Sequence, residues 1–204
     1  MNFSELLAFD GVEEHCTLRG TFGFMAFHGG ELEELTDVIA SIAAERAGAS
    51  YYGVTMPDNL EWHIPSHKVT ADQSPVLESF LSHVDTVITV HGFGRQGYFT
   101  SLLLGGRNRR LATHMAQYLR HSLPEYTIID DIDAVPKDLR GMHQDNPVNI
   151  PLHAGVQLEL PPRVRGSSPI WKDWTGPGLV PHTERLIDAL VNAATAWRTV
   201  TEHA

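Results

Sequence analysis

The sequence predicts an α/β fold: a single-domain, three-layer sandwich around a mixed, largely parallel sheet. Two features carry that expectation. Short runs of β-branched and aromatic residues alternate along the chain with stretches whose apolar residues recur every three or four positions. No repeat, low-complexity tract or linker divides the 204 residues, a length suited to one domain. Hydrophobic residues at 42% against 20% charged supply a sizeable core.

Cys16–Gly20 and Phe22–Phe27 are β-prone runs separated by one residue, so a hairpin or neighbouring strands should open the domain. Glu34–Ala47 carries Leu35, Val38, Ile39 and Ile42 at helical spacing, and Gly48 supplies a C-terminal stop. Ser50–Met56 reads as a strand ended by Pro57. Ser74-Pro75 is an N-cap followed by proline at the first helical position, introducing a helix over Val76–His83. Asp85–Val90, rich in β-branched residues, reads as a buried strand. A helix over Asn108–Leu123, strands at Tyr126–Ile129 and Ala154–Leu160, and a closing helix from Thr183 to Thr201 complete the pattern. Gly166–Pro181, rich in Gly, Pro and Trp, reads as a long loop pinned by Trp171 and Trp174.

Composition excludes several classes. A formal net charge of -10 argues against nucleic acid as a partner. The longest apolar runs, Phe22–Phe27 and Val87–Val90, fall far short of the roughly 18–20 residues that span a bilayer. The start, Met1-Asn2-Phe3-Ser4-Glu5, lacks the basic and apolar stretches of a secretory signal, so the expected place of action is the cytoplasm, or outside it after cell lysis. Cys16 is the single cysteine, which rules out an internal disulfide and a Cys-cluster zinc site; a buried small hydrophobe is its expected role. Against it stand 12 histidines, so any metal must be held by nitrogen and oxygen.

Two strands end in His-Gly. Phe22–Phe27 runs into His28-Gly29-Gly30, and Thr86–Val90 runs into His91-Gly92. Ligands of open α/β sheets collect outside the carboxyl ends of the strands, so parallel strands would set both imidazoles on one edge. Glu33, five residues after His28, is placed to fold back as an oxygen ligand. Two histidines and a carboxylate, with one position open to water, make a catalytic zinc set for one Zn2+ ion. In Gly155–Leu160, Gln157 and Glu159 point opposite to Val156, Leu158 and Leu160. A carboxylate on such a strand needs a compensating charge; Glu159 is either the general base beside the metal or a strand-edge residue facing solvent.

His28-Gly29-Gly30-Glu31-Leu32-Glu33 with Thr36-Asp37-Val38-Ile39-Ala40 resembles the opening signature of the poly-γ-glutamate hydrolases, small zinc enzymes best known from bacteriophages. The likeness continues in order through His63-Ile64-Pro65-Ser66, Val90-His91-Gly92, Gly105-Gly106, Asn146-Pro147-Val148-Asn149 and Gly155–Leu160, over roughly residues 15 to 165. It implies a zinc-carboxypeptidase-like fold, His28, Glu33 and His91 as zinc ligands, and Glu159 as the catalytic carboxylate. Glu31, Asp37, Pro65 and Pro161-Pro162 depart from the family pattern, as we read it, without touching the metal set.

Arginines near the site segments suit a carboxylate-bearing substrate. Arg95, four residues past His91, is the first candidate for gripping a substrate carboxylate or the oxyanion, and Arg107, after Gly105-Gly106, is the second. Substrate contacts are also expected from Asn149 and from His63, unless the latter is an ordinary loop histidine. Gly92–Gly97 has the spacing of a dinucleotide loop but lacks the following helix start and the ribose-binding acid. The expected activity is zinc-dependent hydrolysis of γ-glutamyl amide bonds in a polymer or oligomer. The alternatives are a zinc amidohydrolase or carboxypeptidase for small N-acyl amino acids or peptides, and a non-catalytic zinc module that captures an anionic partner.

Overall fold

The computed structural model describes residues 2–201. In chain order its strands are β1 (Glu13–Thr17), β2 (Gly20–Gly30), β3 (Ala49–Met56), β4 (Thr86–Gly92), β5 (Ser101–Leu104), β6 (Thr127–Ile129) and β7 (Gly155–Leu160). Its helices are α1 (Phe3–Leu7), α2 (Thr36–Ala47), α3 (Pro75–His83), α4 (Arg109–Ser122), α5 (Pro162–Arg165) and α6 (Pro181–Thr201). The seven-stranded sheet has the order β1-β3-β2-β4-β7-β5-β6. β3, β2, β4 and β7 run parallel at its centre. β1 pairs antiparallel with β3, and β5 antiparallel with β7.

β2 explains the arrangement. Phe22 through Gly29 are buried without a break, and a strand buried on both faces needs a neighbour on each edge and a layer on each side. β1 alternates exposed and half-buried positions, the pattern of an edge. The first two strands therefore form neither the hairpin nor the neighbouring pair expected: β3 lies between β1 and β2. Cys16, on that edge strand, is half-buried rather than fully buried.

The two faces are covered by different elements. Phe22, Phe24, Ile88, Val90, Val156 and Leu158 pack against α2, α4 and α6, through Ile39, Met115 and Leu190 among others. Met25, Phe27, Tyr52, Val54 and Val87 pack against Phe3 and Leu6 of α1 and Leu77 and Phe80 of α3. Local signals set the boundaries. Ser74 Oγ accepts from the Leu77 amide at 3.0 Å to start α3, and Asn108 Oδ1 accepts from the Leu111 amide at 2.9 Å to start α4. Trp171 anchors the late loop, its Nε1 donating to the Arg163 carbonyl at 2.8 Å and its ring meeting His182 edge-on. None of the described helices is long and apolar enough to cross a membrane.

Candidate metal centre

The parallel strands β2 and β4 deliver His28 and His91 to the same edge. Each ring must point to the face opposite α2, and β2 achieves this through a register irregularity between Ala26 and Gly29. Gly30 is at φ +71°, and a Cβ there would sit 2.2 Å from the Met56 carbonyl oxygen. The turn that follows brings Glu33 back over the strand end. Its amide donates to the His28 carbonyl at 2.9 Å, and its own carbonyl accepts from the Thr36 hydroxyl at 2.8 Å. Leu35 closes this turn in the left-handed region at φ 67°, a conformation that costs a non-glycine residue about 1–3 kcal/mol.

The result is a buried cluster. Ligand atoms of His28, Glu33 and His91 all lie within 4.8 Å of one another. Glu33 Oε1 is 3.0 Å from His28 Nδ1, and Oε2 is 3.3 Å from His91 Nδ1 while also accepting from the Gly92 amide at 2.9 Å. His28 Nε2 lies 2.9 Å from the Ile64 carbonyl oxygen, which only accepts, so this nitrogen carries a hydrogen. In a neutral ring Nδ1 then presents a lone pair to a carboxylate oxygen. A proton or a metal cation must reconcile two such acceptors, and a backbone-fixed tautomer with the other nitrogen free is what a metal-ligating histidine requires. His91 Nε2 is buried with no hydrogen-bond partner. Two nitrogens and an oxygen from buried side chains thus fit a divalent cation.

Charges follow from the same packing. Burial opposes ionisation of Glu33, but the two imidazoles outweigh it and hold its carboxyl well below the usual range. Burial likewise opposes a charge on His91, yet the Glu33 carboxylate, and Glu159 less strongly, lift its pKa. Glu159 stands beside His91 in the β4–β7 register. Its burial, with repulsion from Glu33 partly offset by His91, pushes its pKa up to about 7. His63 stands at the mouth, 4.0 Å from Glu33 Oε1, and its pKa is lowered by burial and by His28.

A cleft of about 340 Å³ opens over this cluster, lined by Glu33, His63, His91 and Glu159 on the sheet side and by the 137–146 segment opposite. The other expected residues lie elsewhere. Arg95 is bound to Asp138 at the rim. The Arg107 side chain is exposed, and its amide donates to Asn149 Oδ1 at 3.0 Å. Asn149 Nδ2 is spent on the Gly141 and His143 carbonyls at 2.7 and 2.8 Å, so this residue braces the cleft wall. Neither Arg95, Arg107 nor Asn149 is among the cleft-lining residues.

Several cleft residues had no individual signal in the sequence: Lys137 and His67 lie in single turns of 3-10 helix and Met142 and His143 in loops. Arg165 lies behind the cleft rather than in it. It is buried behind Gly92, where a Cβ would lie 2.8 Å from its Cζ, and donates to the Leu160 and Glu34 carbonyls. Gln157 did carry a signal, since strand alternation sets it on the Glu159 face.

A mixed sheet carrying a buried His–Glu–His cluster at the carboxyl ends of its parallel strands is an α/β fold with a candidate metal site at the sheet edge. The comparisons agree. The chain belongs to the poly-gamma-glutamate hydrolase family, whose model matches residues 3–173. The solved structure of a bacteriophage poly-gamma-glutamate hydrolase superposes with a TM-score of 0.79 at 18% identity, covering 96% of this chain and 95% of that one. A zinc-free structure of the protein YNDL gives a TM-score of 0.76 at 18% identity, over 94% and 95%. A carboxypeptidase-named structure from Burkholderia mallei gives 0.53 at 12% identity, over 91% of this chain and 59% of that one. No curated protein matches the sequence.

Proposed function

We propose that this hydrolase is a zinc-dependent amidase that cleaves γ-glutamyl bonds of poly-γ-glutamate or related oligomers, with one Zn2+ held by His28, Glu33 and His91. The observation that carries the reading is the convergence of His28, Glu33 and His91 in a buried site, with ligand atoms all within 4.8 Å of one another. When bound, the ion supplies Lewis-acid polarisation of the scissile carbonyl and a lowered water pKa. Glu159 accepts the proton of the attacking water and returns it to the leaving amine, a task suited to a carboxyl with a pKa near the working pH. Phe27, edge-on to both His28 and His91, keeps one side of the site apolar. His63 and Lys137 flank the cleft as partners for substrate carboxylates.

Three protein donors leave a coordination position open, which favours catalysis over a structural role. A cleft lined without arginine favours an oligomer over a small substrate gripped by its terminal carboxylate. The test is incubation of zinc-loaded protein with poly-γ-glutamate and a panel of N-acyl amino acids, read by mass spectrometry. Shortened polymer is the expected product. Cleavage of the small amides alone would move the assignment to a small-substrate amidohydrolase, and intact recovery of every substrate would leave a binding module.

A further inference from the structure

Behind Glu159 runs a chain of buried amides that the proposed chemistry does not use. Asn146, Gln157 and Glu159 are 2%, 4% and 3% exposed. The Val148 amide donates to Asn146 Oδ1 at 3.2 Å. That bond settles the orientation of everything beyond it. Asn146 must turn Nδ2 towards Gln157, whose Oε1 accepts at 2.8 Å; Gln157 must then turn Nε2 towards Glu159, whose Oε1 accepts at 2.7 Å. The second Gln157 amide hydrogen reaches the Leu139 carbonyl at 3.4 Å. Gly141, at φ +60°, crosses so close that a Cβ would lie 2.4 Å from Gln157 Oε1.

We infer that Gln157 is a positioning residue for the reaction: oriented by Asn146, it holds Glu159 Oε1 and reserves Oε2 for the attacking water. The inference rests on the assignment of Glu159 as general base. An ionised carboxylate in a buried strand swings between rotamers unless one oxygen is fixed, and misplacement of a base by a fraction of an ångström is enough to slow proton transfer. Glutamine is the residue the geometry demands at 157. It accepts from an amide on one side and donates to a carboxylate on the other, which neither glutamate nor leucine does. Because Gln157 also touches the backbone of 139 and 141, it ties the base to the wall of the cleft against which substrate would lie.

The test compares Gln157→Leu, Asn146→Asp, Glu159→Gln and the Gln157→Leu/Glu159→Gln pair, with kcat, KM, zinc affinity and melting temperature measured for each. Asn146→Asp presents an acceptor where Nδ2 stood, and so turns the Gln157 amide round until its oxygen faces Glu159. Gln157→Leu and Asn146→Asp should each lower kcat about 10- to 100-fold, with KM and zinc affinity within about twofold of the parent. The double variant should be no slower than Glu159→Gln alone, since a lost base needs no positioning. Full turnover in Glu159→Gln would remove the base assignment itself. With Glu159→Gln inactive, three results would overturn the role of Gln157: unchanged kcat in Gln157→Leu, a loss expressed in KM or zinc affinity, or a further loss in the pair. Should Gln157→Leu fail to fold, Asn146→Asp decides on the same measurements.

Discussion

Replacing Glu159 with glutamine in metal-free protein isolates the free energy of burying that carboxyl. Unfolded, the group releases its proton near 4.5; folded, it holds it to about 7. Between these values the unfolded chain binds fewer protons than the folded one, so stability must fall as the pH rises. The contribution is whole below about 4.5 and gone above about 7. The gap corresponds to about 3 kcal/mol, and the group is only 3% exposed, so solvent does not screen it away. Glutamine at 159 carries no proton to lose and still offers an oxygen to Gln157 Nε2. Urea unfolding in chelator from pH 4.5 to 8 measures the difference. With a slope of about 2 kcal/mol per molar, the variant's midpoint should rise relative to the parent by about 1–1.5 M across that range. Parallel curves over the whole interval would refute the reasoning, because they would mean that Glu159 ionises in the folded protein as it does in water.

Other perturbations test neighbouring parts of the argument. Glu33→Gln removes the one anionic donor and should weaken zinc binding at least 10- to 100-fold by isothermal titration, with His28 and His91 unable to hold the ion alone. Gly92→Ala places a Cβ 2.8 Å from Arg165 Cζ and should cost about 1–3 kcal/mol by thermal unfolding. Ser74→Ala deletes the cap of α3 and the hydroxyl bond to Glu14, and should cost about 1–2 kcal/mol without changing zinc affinity.

What could be read in advance depended on whether one residue's neighbours in sequence were also its neighbours in space. The helix capped by Ser74-Pro75 was legible because cap and helix are local. His28 and His91 were legible because a strand that ends in His-Gly displays its ligand at the sheet edge whatever lies beside it. The order of strands was not. β1 and β2 are separated by only a few residues, yet β3 lies between them, because burial of β2 on both faces required a partner that adjacency does not name. β5 was missed for a related reason. Ser101–Leu104 is four residues long and takes its strand geometry from pairing parallel with β6 and antiparallel with β7. The cleft wall over 137–146 carries no periodicity at all, and its shape comes from the side chains of Asn146, Asn149 and Gln157 binding its carbonyls.

Arg95 shows why proximity to a ligand in sequence is a weak guide. Four residues separate it from His91, but the chain leaves the strand after Gly92, and the guanidinium meets Asp138 at the rim instead of the cluster. The two buried glutamates show the converse. Residue type and spacing alone do not tell which of the two carboxyls stays ionised and which is held protonated. The fold makes the distinction by neighbours: Glu33 is gripped between two imidazoles and an amide, and Glu159 stands against a single imidazole with a like charge close by. Opposite displacements of two carboxyls within one cleft are what the proposed division of labour requires, an ionised ligand at 33 and a proton-exchanging base at 159 at the same pH.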